Sequence, residues 1–274
     1  MNISHVIRGD DHLANTPKQI LVYKALGLNT PIFAHLPMIL GSDKKRLSKR
    51  HAATNVREYK QKGFTPKVIL NYLSLLGWNP DSEKEIFDQN ELINSFQFKQ
   101  VQKKSAVFDE KKLLWVSQQH LSEMSVRDLM NEIYTLNPEW GDGLEWDYLK
   151  EVVKLIKDRS KTITEITSMS EIFFKDKLEY DIDLLNKTFN DKSIAIIKDF
   201  QSALSTIEDW SRVEIEKIFE DIMEQHEVAI GQVMKPVRVA ISGIPFGPGI
   251  FDLILLLGKE ICQIRLRHAL SVIQ

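Results

Sequence analysis

The stretch ISHVIRGDDHLANTPKQILVYKALGLNTPIFAHLPMILG, residues 3–41, decides the fold class. Ile3, Val6 and Ile7 read as a buried strand. A polar turn from Arg8 to His12 follows, then Asn15-Thr16-Pro17, with Thr16 as the expected N-cap and Pro17 at the first helical position, where its missing N–H costs nothing. Ile20, Leu21, Tyr23 and Leu26 line one broad side of that helix, and Gly27 is a left-handed stop. Phe33 to Leu40 reads as a second apolar strand ending at Gly41. Strand, helix, strand is the grammar of a parallel α/β sheet, and only half a sheet is present. A strand that opens two residues after Met1 leaves two readings: a true N-terminal strand, or a chain cut out of a longer protein.

Outward from this segment the charge pattern changes. From Gly41 to Lys62 there are eight Lys/Arg against Asp43 and Glu58, so an anionic partner is expected there. The centre of the run is Lys45-Arg46-Leu47-Ser48-Lys49-Arg50. On charge alone such a hexamer reads as a solvated loop or a localisation-like patch. Its placement at the carboxyl end of a parallel strand gives it a second reading, because α/β sheets bind nucleotides there. Lysines flanking a small hydroxyl can neutralise charge developing on a phosphate.

Thr65-Pro66 repeats the earlier cap, and a helix through Ile69, Leu70, Tyr72, Leu73 and Leu76 stops at Gly77. The two TPK-helix-G stretches lie 49 residues apart, too far and too few for a repeat architecture. Beyond Trp78 helical periods dominate: a cap at Asp88 with Glu91 three residues on, Asp109 before Leu113 to His120, Val126 to Leu136, and segments 147–159, 162–173, 191–205 and 211–226. Two short helices separated by Gly258 follow the turn Gly247-Pro248-Gly249. Val237, Val239 and Ile241 alternate like a strand instead. A boundary between α/β and all-α parts is expected between residues 115 and 135.

Composition bounds the function. The chain has 274 residues, enough for about two domains, and Lys+Arg 36 against Asp+Glu 38 excludes a wholesale basic coat protein. A single cysteine, Cys262, excludes a disulfide framework and a thiolate zinc site, so no bound metal is expected and the reducing cytoplasm is the expected compartment. The longest apolar run, Ile250 to Leu257, falls far short of the ~20 residues that span a bilayer.

Arg46-Leu47-Ser48-Lys49-Arg50 resembles the KMSKS-type signature of class I aminoacyl-tRNA synthetases, in the form found in glutamyl-tRNA synthetases. The resemblance extends through HVIRGDDHLANTPKQILVYKALG, PIFAHLPMILG, HAATNVREYKQKGF, NYLSLLGWNP, SAVFDEKKLLWVSQQHL and PVRVAISGIPFGPGIFDLILLLGKE, in that family's order. No His-x-Gly-His tetrad, the family's other ATP signature, occurs in the chain. The resemblance therefore implies the C-terminal portion of a bacterial-type glutamyl-tRNA synthetase without the first half of its Rossmann fold. It implies an α/β partial Rossmann segment (1–53), a mostly helical stem-contact domain (54–125) and an all-α anticodon-binding domain (126–274). The activity implied is glutamate–tRNA ligation through glutamyl-adenylate, with ATP and Mg2+ as the substrate complex and L-glutamate and tRNA(Glu) as partners. A monomer is expected, with the missing N-terminal half as a further partner and no activity for this portion alone.

By position, the resemblance gives Arg8 to the substrate glutamate, through its planar donor fork. Read by itself, Arg8 pairs equally well with Asp10 or Asp11. Asp11 is given to ATP, as are Met38, Ile39 and Leu40, whose side chains also read as strand core. Lys49 is the catalytic cation on the phosphates, assisted by Ser48 and Arg50, and either Lys45 or Arg46 takes the first basic role. Arg57 and Lys60, with Lys62 and Lys67 nearby, fall where the family contacts tRNA, and Arg159 falls in its anticodon-reading region; each also reads as a solvated helix residue. The turn at Gly247 to Gly249 is expected to lead into buried helices, and Cys262 to be core. The resemblance turns the Pro236 segment into a Pro-started helix.

Two rival functions remain at this level: a non-catalytic tRNA-binding or assembly module, and a glutaminyl-tRNA synthetase. The second is disfavoured by the helical C-terminal half, since its anticodon region is built of β-barrels.

Overall fold

A computed structural model describes residues 3–48, 55–80 and 83–273. The chain divides into two compact units, Met1–Glu123 and Met124–Gln274. In the first, β1 (His5–Gly9) leads through a 3-10 turn (Asp10–Asn15) into α1 (Thr16–Ala25) and β2 (Ile32–Leu36). The strands pair in parallel, with Arg8 opposite His35 and Val6 opposite Phe33. Period-2 alternation puts these four on one face and Ile7, Ile32, Ala34 and Leu36 on the other.

The expected burial of β1 is corrected here. Ile3 and Ile7 are exposed, as are Ile32 and Leu36, and α1 buries only Thr16 while Leu21 and Leu26 stand in solvent. A parallel pair needs cover on both faces to be sealed, and no described element covers the Ile7 face. The second strand also stops earlier than its apolar pattern suggests. Pro37 has no N–H to donate and ends it after Leu36. Leu40 returns to isolated bridges with Arg46 and Val107.

The rest of this unit is helical: α2 (Val56–Gln61), α3 (Pro66–Gly77), α4 (Gln89–Ser95) and α5 (Glu110–Glu123). Its core gathers Phe64, Val68, Tyr72, Phe108, Leu113 and Val116, with Ile39 and Leu47 packed against it. Each such side chain contributes about 1.5–3 kcal/mol of burial. Asn71, fully buried, ties three segments together: Nδ2 donates to the Glu85 carbonyl at 3.0 Å, and Oδ1 accepts from Phe87 N–H at 3.0 Å and lies 2.8 Å from His120 Nε2. The capping box at Asp88 and Glu91 forms reciprocally, as the spacing predicts.

The second unit comprises α6 (Val126–Leu136), α7 (Trp146–Ile156), α8 (Ile163–Ser170), α9 (Ile182–Thr188), α10 (Asp191–Thr206), α11 (Arg212–His226), α12 (Ile230–Ser242) and α13 (Ile250–Ile273). No strand is found among its described residues, which removes the barrel expected of a glutaminyl-tRNA synthetase. Ser125, Thr162, Asn190 and Ser211 cap their helices by accepting from the N3 backbone N–H. Gly258, at φ 79°, breaks α13 where the sequence places a division.

Two details differ from the sequence reading. Pro236 does not start a helix but sits buried in the middle of α12, its neighbours Val233 and Val237 fully buried. Packing there offsets the cost of the lost hydrogen bond, about 3 kcal/mol. Helix α9 has no long apolar period to announce it; Asp181 caps it by accepting from the Asp183 and Leu184 N–H groups.

Arg265 closes this core from inside. It has no exposed surface, and its guanidinium donates to the carbonyls of Ile241 (2.7 Å), Ile172, Lys175 and Asp176. Tyr180 reinforces the junction by donating to the Ala240 carbonyl at 2.6 Å. Carbonyls at helix ends carry the negative pole of the helix dipole, so a buried cation is held there without a carboxylate. Cys262, one turn away, is core as expected, and burial pushes its thiol up to about 12.

Candidate functional site

The end of β1 and the turn after it hold two of the predicted substrate residues, Arg8 and Asp11. Arg8 lies half-buried at the strand end. Its Nη2 donates to Thr16 Oγ1 at 2.8 Å and to Gln19 Oε1 at 2.7 Å, its Nε faces His35 Nε2 at 3.4 Å, and its guanidinium stands 5.3 Å from the Phe33 ring centroid. Neither Asp10 nor Asp11 is its partner in these contacts. The Thr16 hydroxyl lies 2.9 Å from His35 Nε2, which explains why Thr16 does not cap α1: Asn15 takes the N-cap position and the Thr16 side chain belongs to the Arg8 network. The strand register, Arg8 opposite His35, is what brings these groups to one face. Nη1 of Arg8 makes none of these bonds.

Gly9 fixes the next layer. A Cβ there would stand 2.6 Å from Asp11 Oδ1 and 3.4 Å from Met38 Sδ, so a methyl group would displace the Asp11 carboxylate while leaving Met38 in ordinary contact. Asp11 and Met38, predicted together from separate segments, meet at this point. Asp11 Oδ2 pairs with Arg46 Nη2 at 3.6 Å, and Lys45 beside it is exposed.

Ile39 and Leu40 serve differently from Met38. Ile39 packs against the helical core, and its carbonyl accepts from Leu47 N–H at 2.9 Å. Leu40 donates to the Ala106 carbonyl at 2.9 Å and accepts from Phe108 N–H at 2.8 Å, so both its backbone groups are committed to protein. These bonds anchor a tight turn from Gly41 to Lys45, closed by Gly41 N–H donating to the Lys45 carbonyl at 2.7 Å. Lys44 adopts φ 62° in it, and the Asp43 carboxylate accepts from Lys45 N–H at 2.9 Å. A cleft of about 550 Å³ lies beside the turn, lined by Gly41, Ser42, Leu47, Phe108 and Lys111 among others. Ser48 is half-buried; Lys49 and Arg50 lie outside the described residues.

Of the predicted RNA contacts in this unit, Arg57 and Lys60 are exposed on α2, where Asn55 caps by accepting from Arg57 N–H at 2.9 Å. In the second unit Arg159 is exposed at the end of a 3-10 turn (Lys157–Arg159) that follows α7. The structure adds a residue that the sequence reading passed over. Arg238, on α12, is held below the usual guanidinium range first by burial and then by the positive charge of Arg159. Its Nη1 donates to the Pro248 carbonyl at 2.7 Å, fixing the turn in which Gly247 takes φ 152° and Phe246 is 77% exposed. Arg159 is thus close enough for its charge to act on Arg238, and Phe246 is exposed in the turn that Arg238 holds. The helical period places Arg238 on α12, but its meeting with Arg159 spans 79 residues of chain.

Residues 118–270 match the family model of the anticodon binding domain, and residues 1–115 match that of the class I tRNA synthetase (E and Q) catalytic domain. Glutamate–tRNA ligase 2 of Thermoanaerobacter pseudethanolicus is 36% identical over 278 aligned positions, covering 100% of this chain and 58% of that protein. The chain belongs to the glutamyl-tRNA synthetase family. Glutamate–tRNA ligase of Moorella thermoacetica is 37% identical, over 98% of this chain and 56% of its own length. A crystal structure of a glutamate tRNA ligase from Elizabethkingia meningosepticum, in complex with its amino acid, superposes with a TM-score of 0.82 at 27% identity, covering 100% of this chain and 58% of that one. The chain thus spans a little over half the length of its glutamyl-tRNA synthetase relatives and corresponds to their C-terminal portion. Among the described residues no cluster of three or more His, Cys, Asp or Glu could hold a metal ion, and no helix is long and apolar enough to cross a membrane.

Proposed function

We propose that this chain supplies the second half of the catalytic domain, the stem-contact domain and the anticodon-binding domain of a glutamate–tRNA ligase. The observation that carries the proposal is the approach of the Asp11 carboxylate and Met38 to the end of β1 at Gly9, beside the strand position where Arg8 is held by Thr16 and Gln19, with Asp11 paired to Arg46 of the turn that precedes Lys49 in sequence. In the reaction, a carboxylate oxygen of glutamate attacks the α-phosphorus of Mg-ATP, pyrophosphate leaves, and the acyl group of glutamyl-adenylate passes to the terminal ribose hydroxyl of tRNA(Glu). Arg8 would hold the substrate carboxylate and Asp11 the ATP ribose, with Met38 beside the adenine and Ile39 and Leu40 shaping the strand behind it. Lys49, aided by Ser48 and Arg50, would offset the charge that develops on the phosphates. Such a site works by positioning and charge stabilisation and needs no protein nucleophile. Arg57 and Lys60 would contact tRNA phosphates, and Arg159 with Arg238 would form the base-reading corner.

The bare Ile7, Ile32 and Leu36 face supports the further reading that a complementary polypeptide, carrying the first half of the nucleotide fold, completes the sheet. The test is ATP–pyrophosphate exchange. The 274-residue chain alone is expected to show none, and exchange is expected once the remaining portion of the relatives' length is supplied. In that complete protein Lys49→Ala should lower kcat by about 10²–10³-fold. Robust exchange by this chain alone, or an unaltered Lys49→Ala enzyme, would overturn the assignment.

A further inference from the structure

The segment from Leu92 to Val107 contains no Asp or Glu but carries Lys99, Lys103 and Lys104, with Asn94, Gln97, Gln100 and Gln102. It also exposes large apolar side chains in one place. Phe98 is 76% exposed, Ile93 67% and Phe96 43%. The rings form a short ladder: buried Trp78 stands 5.9 Å from Phe96, and Phe96 meets Phe98 edge-on at 5.4 Å. This is a rigid platform. Gln102 N–H donates to the Gly77 carbonyl at 2.7 Å, Asn79 N–H to the Gln100 carbonyl at 3.3 Å, and Trp78 Nε1 to Gln100 Oε1 at 3.0 Å. The three lysines are exposed, and no carboxylate among the described residues pairs with them.

We infer that the Phe96–Phe98 ladder with Lys99, Lys103 and Lys104 is a docking surface for an unpaired stretch of RNA, one base lying on the Phe98 ring while the lysines meet flanking phosphates. A pre-set aromatic ring gives up little conformational freedom on stacking a base, and the acid-free lysine rim supplies the complementary charge. A protein partner needs apolar area but neither a ring face nor an acid-free rim. The inference rests on the tRNA-binding reading above and adds to it a contact with an unpaired loop or end of the RNA.

The experiment measures binding of this chain to an unmodified tRNA(Glu) transcript and to a fully paired RNA hairpin stem. Phe98→Ala is expected to weaken transcript binding about five- to ten-fold and to leave the paired stem unchanged, whereas Phe98→Tyr should retain wild-type affinity. Replacing all three lysines by Gln should lower the salt dependence of binding by about two in slope. If the wild-type chain binds no transcript, the tRNA-binding reading itself falls. If it binds and Phe98→Ala matches wild type, or Phe98→Leu matches Phe98→Tyr, this surface does not stack RNA; the Leu result would mark a plain apolar contact with protein. Circular dichroism of Phe98→Ala separates misfolding from lost contact, and photocrosslinking from Phe98 to the transcript reads the contact independently of affinity.

Discussion

Helix α1 and helix α10 have comparable apolar content and opposite fates. In α1 only Thr16 is buried; in α10 Ser193, Ile196, Ile197, Phe200 and Leu204 are. The α10 face meets α11, α12 and α13, whereas α1 meets the Arg8 face of a two-stranded sheet whose other face is open. The helical unit therefore carries its own stability. The β1–α1–β2 segment instead holds the residues proposed for the substrates and leaves one apolar face exposed. Marginal stability is a small difference between large terms, so where burial is missing the local structure is easily opened.

Four perturbations would break or sharpen this contrast. The largest is Arg265→Met, which leaves the Ile241, Ile172 and Lys175 carbonyls without their donor and should cost about 3–5 kcal/mol in urea unfolding; a wild-type midpoint would show that the cation does not hold the bundle. Next, Leu129→Ala, at a fully buried site, should cost about 2–5 kcal/mol, while Leu21→Ala, at a site 65% exposed, should change stability by less than about 0.5 kcal/mol. Equal effects would mean that α1 is covered in solution. Thr65→Val should stabilise by about 1 kcal/mol, because the Thr65 hydroxyl is buried with no partner among the described residues. Smallest is Asp11→Asn: the Asp11–Arg46 pair is exposed, so stability should move by less than about 1 kcal/mol. In the complete ligase the same change should raise the KM for ATP, and an unaltered KM would remove Asp11 from the site.

Alkaline pH probes both units at once. The Cys262 thiol is raised from its ordinary 9.0 to about 12, and the Tyr72 and Tyr180 hydroxyls from 10.0 to about 12, by burial first. Each group stays neutral in the folded chain after it would ionise in the unfolded one. The contribution of these three groups should therefore be unchanged below about pH 9 and be lost as pH rises toward 12. Cys262→Ala should flatten the first part of that fall, as read by urea titration at successive pH values.

Much of the site was legible because its signals are local. The Asp88–Glu91 box and the Ser125, Thr162 and Ser211 caps place helices through bonds spanning three residues, and Pro66 marks the first turn of α3. Arg8, Asp11 and Met38 were marked by resemblance in sequence order. The Arg159–Arg238 corner was not marked, because its members are remote in the chain and each alone reads as a solvated arginine. Arg265 left a faint trace: it falls on the same helical stripe as Cys262, Leu266 and Ala269, all buried, so the period pointed a charge inward.

The amino-acid order alone settled most of the helices, the Asp88, Ser125, Thr162 and Ser211 caps, the parallel strand pair and the family, since these depend on spacings of two to four residues and on motif sequence. Tertiary structure alone decided that Thr16 serves Arg8 rather than its helix, that Gly9 leaves room for the Asp11 carboxylate, that Pro236 is tolerated inside α12, and that one face of the sheet stays open. Those outcomes depend on which surfaces meet across long stretches of chain, where desolvation and steric fit outweigh local preference.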